Sequence, residues 1–265
     1  MSLPLSLPLS LLATLGAALA VMLAAFAVGV RTGRHRGVDT AWGLGFTAVA
    51  LTGFLLSDGQ GDLGRRVLAT VLTGVWGLRL SVHLWWHARG KDEDPRYAAM
   101  LSRAPAGPAR TRLALRKVYL LQAAILWFVS LPVQIAQRLP DPPGLLTVLA
   151  LALWLLGLTF ETVGDHQLAR FRADPANRGR VLTTGLWSWT RHPNYFGDAC
   201  VWWGLFLLAA DHPAGWATLL SPLLMTYLLA FGSGRPMAER GTTSRSPEWT
   251  AYAARTSAFV PRPPR

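Results

Sequence analysis

Only one cysteine, Cys200, occurs in the 265 residues. One thiol forms no intramolecular disulfide, so a disulfide-stapled scaffold is excluded. Charge is scarce as well: 15% of residues are Asp, Glu, Lys or Arg, against about 25% in a soluble domain. Only 14 residues are acidic and only two are lysine. Histidines number six and are widely scattered, which argues against a histidine-rich metal centre. No Walker A sequence occurs. Gly43-Leu44-Gly45-Phe46-Thr47-Ala48 fits a loose GxGxxA pattern, but it lies inside an apolar run with no strand before it, so it is no dinucleotide-binding fold. Cys200, itself inside an apolar run, reads as a small buried residue.

What is abundant is apolar surface. Hydrophobic residues make up 51% of the chain and Trp occurs 12 times. That content excludes disorder, and apolar runs approach the ~20 residues that cross a bilayer. Seven candidate spans follow, at about 5–29, 40–57, 67–87, 118–137, 145–163, 194–210 and 214–231. The expected fold is an all-α membrane bundle formed by residues 1–265 as one transmembrane domain, with 232–265 as a tail. The first run has no basic flank before it and no clear cleavage site, so it reads as a retained helix. Pro140, Pro142, Pro143 and Gly144 break the chain between the fourth and fifth spans, and Asp211-His212-Pro213 does so between the sixth and seventh.

The net charge is +12, carried by 24 Arg and two Lys. The basic residues flank apolar segments instead of forming one stripe, so nucleic acid is not the expected partner. Of the 26 basic residues, 22 fall in segments 30–39, 88–117, 164–193 and 232–265. Arg65, Arg66 and Arg138 lie on the other side, and Arg79 lies within a span. This bias places the N-terminus outside and the tail in the cytoplasm. The Trp residues read as interfacial anchors.

Ionisable groups at membrane depth are costly and usually line a site. Arg79, His83 and His87 recur every fourth residue and share one helix face. They form either a polar wall or a snorkelling, interfacial group beside Trp85 and Trp86. Glu161, Asp165 and Arg172 share a face if the fifth helix continues past its apolar run. Carboxylates accept ribose hydroxyls or amides and Arg clamps phosphate; the plainer alternative is a solvated helix end. In Arg191-His192-Pro193-Asn194-Tyr195-Phe196-Gly197-Asp198, Pro193 suits a first helical turn. Asn194 and Asp198 share a face, and Gly197 admits a close approach to the backbone. Arg96, Arg172, Arg180 and Arg191 are candidate phosphate contacts, or else simply carry the topological bias.

The stretch from Gly185 through Arg191-His192-Pro193-Asn194-Tyr195 to Asp198 resembles the C-terminal signature of the steroid 5α-reductase superfamily, and more closely its uncharacterised bacterial members. Val38-Asp39-Thr40-Ala41-Trp42-Gly43, Arg79-Leu80, Glu93-Asp94-Pro95-Arg96-Tyr97, Asp165-His166-Gln167-Leu168, Glu239 and the ending from Tyr252 to Pro261 are similar too. The resemblance implies a seven-helix bundle in a bacterial inner membrane that holds NADPH from the cytoplasmic side. By position in the motif the resemblance implies Glu161, Asp165, Arg172, Arg180, Asn194 and Asp198 as cofactor contacts, and Arg96, Arg191, His192, Tyr195 and Tyr252 complete the expected cofactor-binding set. Asp198 stands where the steroid enzymes carry Glu, and Gly179 where an aromatic cofactor contact is expected. The implied chemistry is reduction of a carbon–carbon double bond conjugated to a carbonyl in a lipophilic substrate. Asp39, His83 and Tyr97 are the candidates for the acid that meets the carbonyl oxygen, and Asp39 also suits a plain helix cap. Two other classes compete. The RHPNY segment is shared with S-adenosylmethionine-dependent isoprenylcysteine-type methyltransferases, and a non-enzymatic membrane protein would need no cofactor.

Overall fold

A computed structural model of the chain describes residues 6–240 and 246–264. The fold is all-α: about 75% of the structure is helical, with no strand among the described residues. Among the described residues five helices are long and apolar enough to cross a membrane: Leu7–Thr32, Gly37–Leu56, Leu63–Ala88, Leu145–Ala173 and Pro213–Ala238. The first four are designated α1, α2, α3 and α8. Between α3 and α8 run α4 (Pro95–Leu101), α5 (Pro108–Ala114), a π-helical stretch (Leu115–Leu120), α6 (Leu121–Val129) and α7 (Leu131–Ala136). After α8 come α9 (Pro193–Ala210), α10 (Leu220–Ala230), α11 (Arg235–Ala238) and α12 (Pro247–Arg255).

Three spans differ from the sequence expectation. The fourth, 118–137, is interrupted between α6 and α7: Pro132 sits in the first turn of α7, where a proline has no N–H to extend the helix before it. The fifth does not stop at 163 but continues to Ala173. The seventh opens with a 3₁₀ turn, Pro213–Thr218, before α10 begins. The first begins at Leu7; residue 5, its expected start, lies outside the described residues.

Where the sequence reads as one transmembrane domain, contacts group the chain into two compact units. One comprises the chain up to Pro143 with His212–Thr218; the other comprises Gly144–Asp211 with the chain from Leu219 onward.

In the first unit α2 and α3 run backbone to backbone. A Cβ on Gly43 would lie 2.0 Å from the Gly77 carbonyl oxygen, and one on Gly77 would lie 2.5 Å from that of Gly43. One end of the unit is stapled by arginines. Arg65 donates to the carbonyls of Asp141 (3.0 Å) and Pro142 (2.9 Å). Arg66 donates to Ser57, Asp58 and the Phe54 carbonyl, and Arg138 donates to Gln60 and Ser10. Arg65 and Arg66 are buried, which a guanidinium tolerates only when its donors are met.

In the second unit α8 and α9 are the central pair. Glycines stand seven apart on both, at Gly157 and Gly164 and at Gly197 and Gly204. A Cβ on Gly197 would lie 2.5 Å from both the Gly157 carbonyl oxygen and the Glu161 amide nitrogen. One on Gly204 would lie 2.8 Å from the Ala150 oxygen. The Asp211 carboxylate, just beyond α9, accepts the N–H groups of Gly144 (2.5 Å) and Leu146 (3.3 Å) and so caps the start of α8.

Gly197→Ala should therefore lower stability by about 1–3 kcal/mol, since a new methyl would meet the α8 backbone at 2.5 Å. Gly74→Ala on α3 has open space at its Cβ and should be neutral or stabilise by up to ~1 kcal/mol. Thermal unfolding of the two purified variants checks the pair.

Candidate functional site

In the first unit, polar residues collect where the segment after α3 returns to the start of α2. The Glu93 carboxylate accepts the N–H groups of His35 (2.5 Å) and Arg36 (2.9 Å), which fixes that segment against the first turn of α2. Asp94 then caps α4 by accepting the Arg96 N–H (2.8 Å), with Pro95 in the first turn. Arg96 and Tyr97 are thereby turned onto Asp39. Arg96 donates through Nη2 to Asp39 Oδ2 (2.6 Å) and through Nε to Asp94 Oδ1 (2.9 Å). The Tyr97 hydroxyl donates to Asp39 Oδ1 (2.5 Å). Gln122, which accepts the Trp42 indole N–H, also reaches the Tyr97 hydroxyl.

The electrostatics follow from this geometry. Tyr97 is buried, at 8% exposure. Burial, and then the Asp39 charge and its hydrogen bond, push the phenol far above its ordinary range, so it remains a proton-bearing donor at any physiological pH. Burial would raise Asp94, but the hydrogen bonds and charge of Arg96 outweigh it and hold the carboxyl below its usual value. The bond from Asp94 is the main reason Arg96 is raised. Asp39 is not the cap of α2: its oxygens go to Arg96 and Tyr97, while Glu93 satisfies the amides that precede the helix. His83 lies on α3 with its ring 4.2 Å from that of His87, whose Nδ1 meets the His83 carbonyl at 2.9 Å.

In the second unit, the continuation of α8 carries Glu161, Asp165 and Arg172 along one side, as their spacing predicts. Three carboxylates are buried there, with Glu161 at 3%, Asp165 at 8% and Asp198 at 9% exposure. Asn194 opens α9 and donates through Nδ2 to Asp165 Oδ1 (3.1 Å). The neighbour that Gly197 admits is α8 itself, at Gly157 and Glu161. Arg172 and Arg180 are exposed and have no ion-pair or side-chain hydrogen-bond partner among the described residues.

Other expected contacts are engaged within this unit. Arg191 donates through Nε to Glu239 Oε1 (3.0 Å) and through Nη1 to the carbonyls of Ala253 (2.9 Å) and Thr256 (3.4 Å). His192 Nε2 meets the same Glu239 oxygen at 3.0 Å, and its ring stacks on Tyr195 with centroids 5.3 Å apart. The buried Tyr252 donates to the Trp187 carbonyl (2.6 Å), and the Trp187 indole donates to that of Gly164 (3.0 Å). Arg191, His192 and Tyr252 thus fasten the C-terminal segment to the start of α9. Glu239, Gln122 and Glu93 complete these clusters yet were not among the expected site residues. Among the described residues no group of His, Cys, Asp and Glu is arranged to hold a metal ion.

The clasp sets a pH dependence. Burial lowers His192 below its usual 6.5, with Glu239 opposing in part. Burial would raise Glu239, but the His192 hydrogen bond and the Arg191 charge bring it below its usual 4.5. In both cases the unfolded chain takes up the proton first as pH falls. The His192 contribution is complete above about pH 6.5 and shrinks below it, and the Glu239 contribution shrinks only below about pH 4.5. The melting temperature of the wild type should fall between about pH 7 and pH 5.5. His192→Gln should flatten that interval, which thermal unfolding across pH measures.

A family model described as a protein of unknown function, DUF1295, matches residues 25–256. No curated protein and no solved structure matches the chain. The match spans α2 to α12 and both clusters, and the chain belongs to the DUF1295 family.

Proposed function

We propose that this protein is a membrane-embedded reductase that uses NADPH to saturate a carbon–carbon double bond conjugated to a carbonyl in a lipophilic substrate, steroid-like or otherwise. The observation that carries the reading is the buried Tyr97 phenol, which keeps its proton and donates a hydrogen bond to Asp39 until a carbonyl oxygen takes that bond over. A buried hydroxyl donor of this kind binds a carbonyl oxygen and stabilises the negative charge that develops on it. Asp39 accepts the phenol hydrogen bond in the absence of a carbonyl, and Arg96 pairs with its other oxygen.

The donor set of the second unit suits NADPH. Glu161, Asp165 and Asn194 offer acceptors and an amide for ribose hydroxyls or a carboxamide, and the unpartnered Arg172 and Arg180 suit phosphates. When bound, the cofactor supplies the hydride. Resemblance to the steroid 5α-reductase superfamily agrees with both assignments. The topology we favour has seven spans, adding α9 and the interrupted segment 118–137 to the five long helices. The charge bias supports an N-terminus outside, with the catalytic residues facing the cytoplasm of a bacterial inner membrane.

The test is thermal stabilisation of the detergent-purified protein by NADPH, NADH and S-adenosylmethionine in parallel. NADPH should stabilise the wild type, and Arg172→Ala and Asn194→Ala should each weaken that binding about tenfold. Wild-type binding by both variants overturns the cofactor site, and stabilisation by S-adenosylmethionine alone moves the protein to the methyltransferases. Tyr97→Phe should leave NADPH binding intact and slow NADPH consumption with an enone lipid by about 100-fold or more.

A further inference from the structure

Between Asp94 and Asp141 the chain contains no Asp or Glu, but it contains seven basic residues. Three are occupied: Arg96 by Asp39 and Asp94, Arg110 by the Ala104 carbonyl, and Arg138 by Gln60 and Ser10. Arg103, Arg112, Arg116 and Lys117 are exposed and have no ion-pair or side-chain hydrogen-bond partner among the described residues.

Three of these cations crowd one turn. Arg112 closes toward the end of α5, and Arg116 and Lys117 lie in the π-helical stretch that follows. Hydrogen bonding from i to i+5 widens that turn, so residues four and five apart flank the same side. Like charges so placed repel one another, and no carboxylate in the segment relieves them. The stretch also has a defined inner face. Val118 and Tyr119 are buried, with Tyr119 against Phe26 of α1 and hydrogen-bonded to His35 at 2.9 Å. Arg116, Lys117, Leu120 and Leu121 remain outward, with the two leucines 37% and 50% exposed. Cations therefore meet an exposed apolar surface at the point where the helix enters its apolar run.

We infer that Arg112, Arg116 and Lys117 form a docking site for the headgroup of an anionic phospholipid, whose acyl chain lies along Leu120 and Leu121. Charge complementarity selects the headgroup, since one phosphodiester relieves three mutually repelling cations. The adjoining leucines select an amphiphile over a free anion. Topology alone requires positive charge on this side of the membrane; it does not require unpaired cations on one face beside exposed leucines.

The experiment titrates the purified full chain in detergent micelles with phosphatidylglycerol, phosphatidylcholine or inorganic phosphate and follows thermal stabilisation. Phosphatidylglycerol should act at concentrations at least tenfold below phosphatidylcholine, and inorganic phosphate should neither reproduce nor compete with it. Arg112→Gln/Arg116→Gln/Lys117→Gln should erase the preference. Arg170→Gln/Arg178→Gln/Arg262→Gln, which removes as much charge elsewhere, should keep it. Should the first triple variant fail to fold, Arg116→Gln alone should weaken the preference about threefold. Equal action of the two lipids, competition by phosphate, an unchanged first variant, or equal loss in the second overturns the site.

Discussion

The approach of α8 to α9 governs the second unit. Apolar side chains gain little by leaving lipid for a protein interface, so helices in a membrane associate through close packing. Glycine makes that packing as close as backbone allows. Gly157 on α8 and Gly197 and Gly204 on α9 bring main chain against main chain along two turns, where a new methyl would lie under 3 Å from backbone. The polar end of the unit follows from this contact. Gly164 lies against Pro193 and Asn194, which sets Asn194 beside Asp165 and buries Glu161 at the seam. The first unit repeats the solution once, where Gly43 and Gly77 join α2 to α3.

Arginine serves three separate purposes on these frames. Arg65, Arg66 and Arg138 staple loops through carbonyls and side chains at one end of the first unit. Arg191 closes the C-terminal segment over Glu239, and Arg96 balances Asp39. Arg112, Arg116, Arg172 and Arg180 keep their guanidinium groups exposed. Each use obeys the same constraint: a buried guanidinium needs its donors satisfied within the protein, whereas an exposed one is free to meet an anion.

The candidate chemistry rests on the same logic. In the proposed reading Tyr97 serves as a hydrogen-bond donor, because burial beside a carboxylate keeps its proton in place. Asp39 tolerates its position because Arg96 and Tyr97 both donate to it. The arrangement depends in turn on Glu93 and Asp94, whose carboxylates cap two helix starts and fix the intervening backbone. Neither needs to touch a substrate to decide where Arg96 and Tyr97 point.

Much of the framework was legible in the sequence. Apolar length is a local property, so α1, α2, α3, α9 and the start of α8 fall within a few residues of their expected bounds, and Pro193 opens its helix as its ring geometry requires. The continuation of α8 to Ala173 was legible only as a condition on the shared face of Glu161, Asp165 and Arg172. The apolar signal ends well before the helix does, because hydropathy reports solvent and not backbone hydrogen bonding. The break at Ser130–Leu131 was masked for the converse reason, since the apolar run conceals the proline that divides it. The sequence by itself determined where the long apolar helices run and which polar residues stand at their ends, but not the short helices α4, α5, α11 and α12. Tertiary structure alone decided that Glu239 joins Arg191 and His192, that Gln122 reaches Tyr97, and which arginines have no partner among the described residues. Hydrogen bonds and ion pairs form between groups that are near in space, and residues as far apart as His192 and Glu239 become neighbours only once the helices have packed.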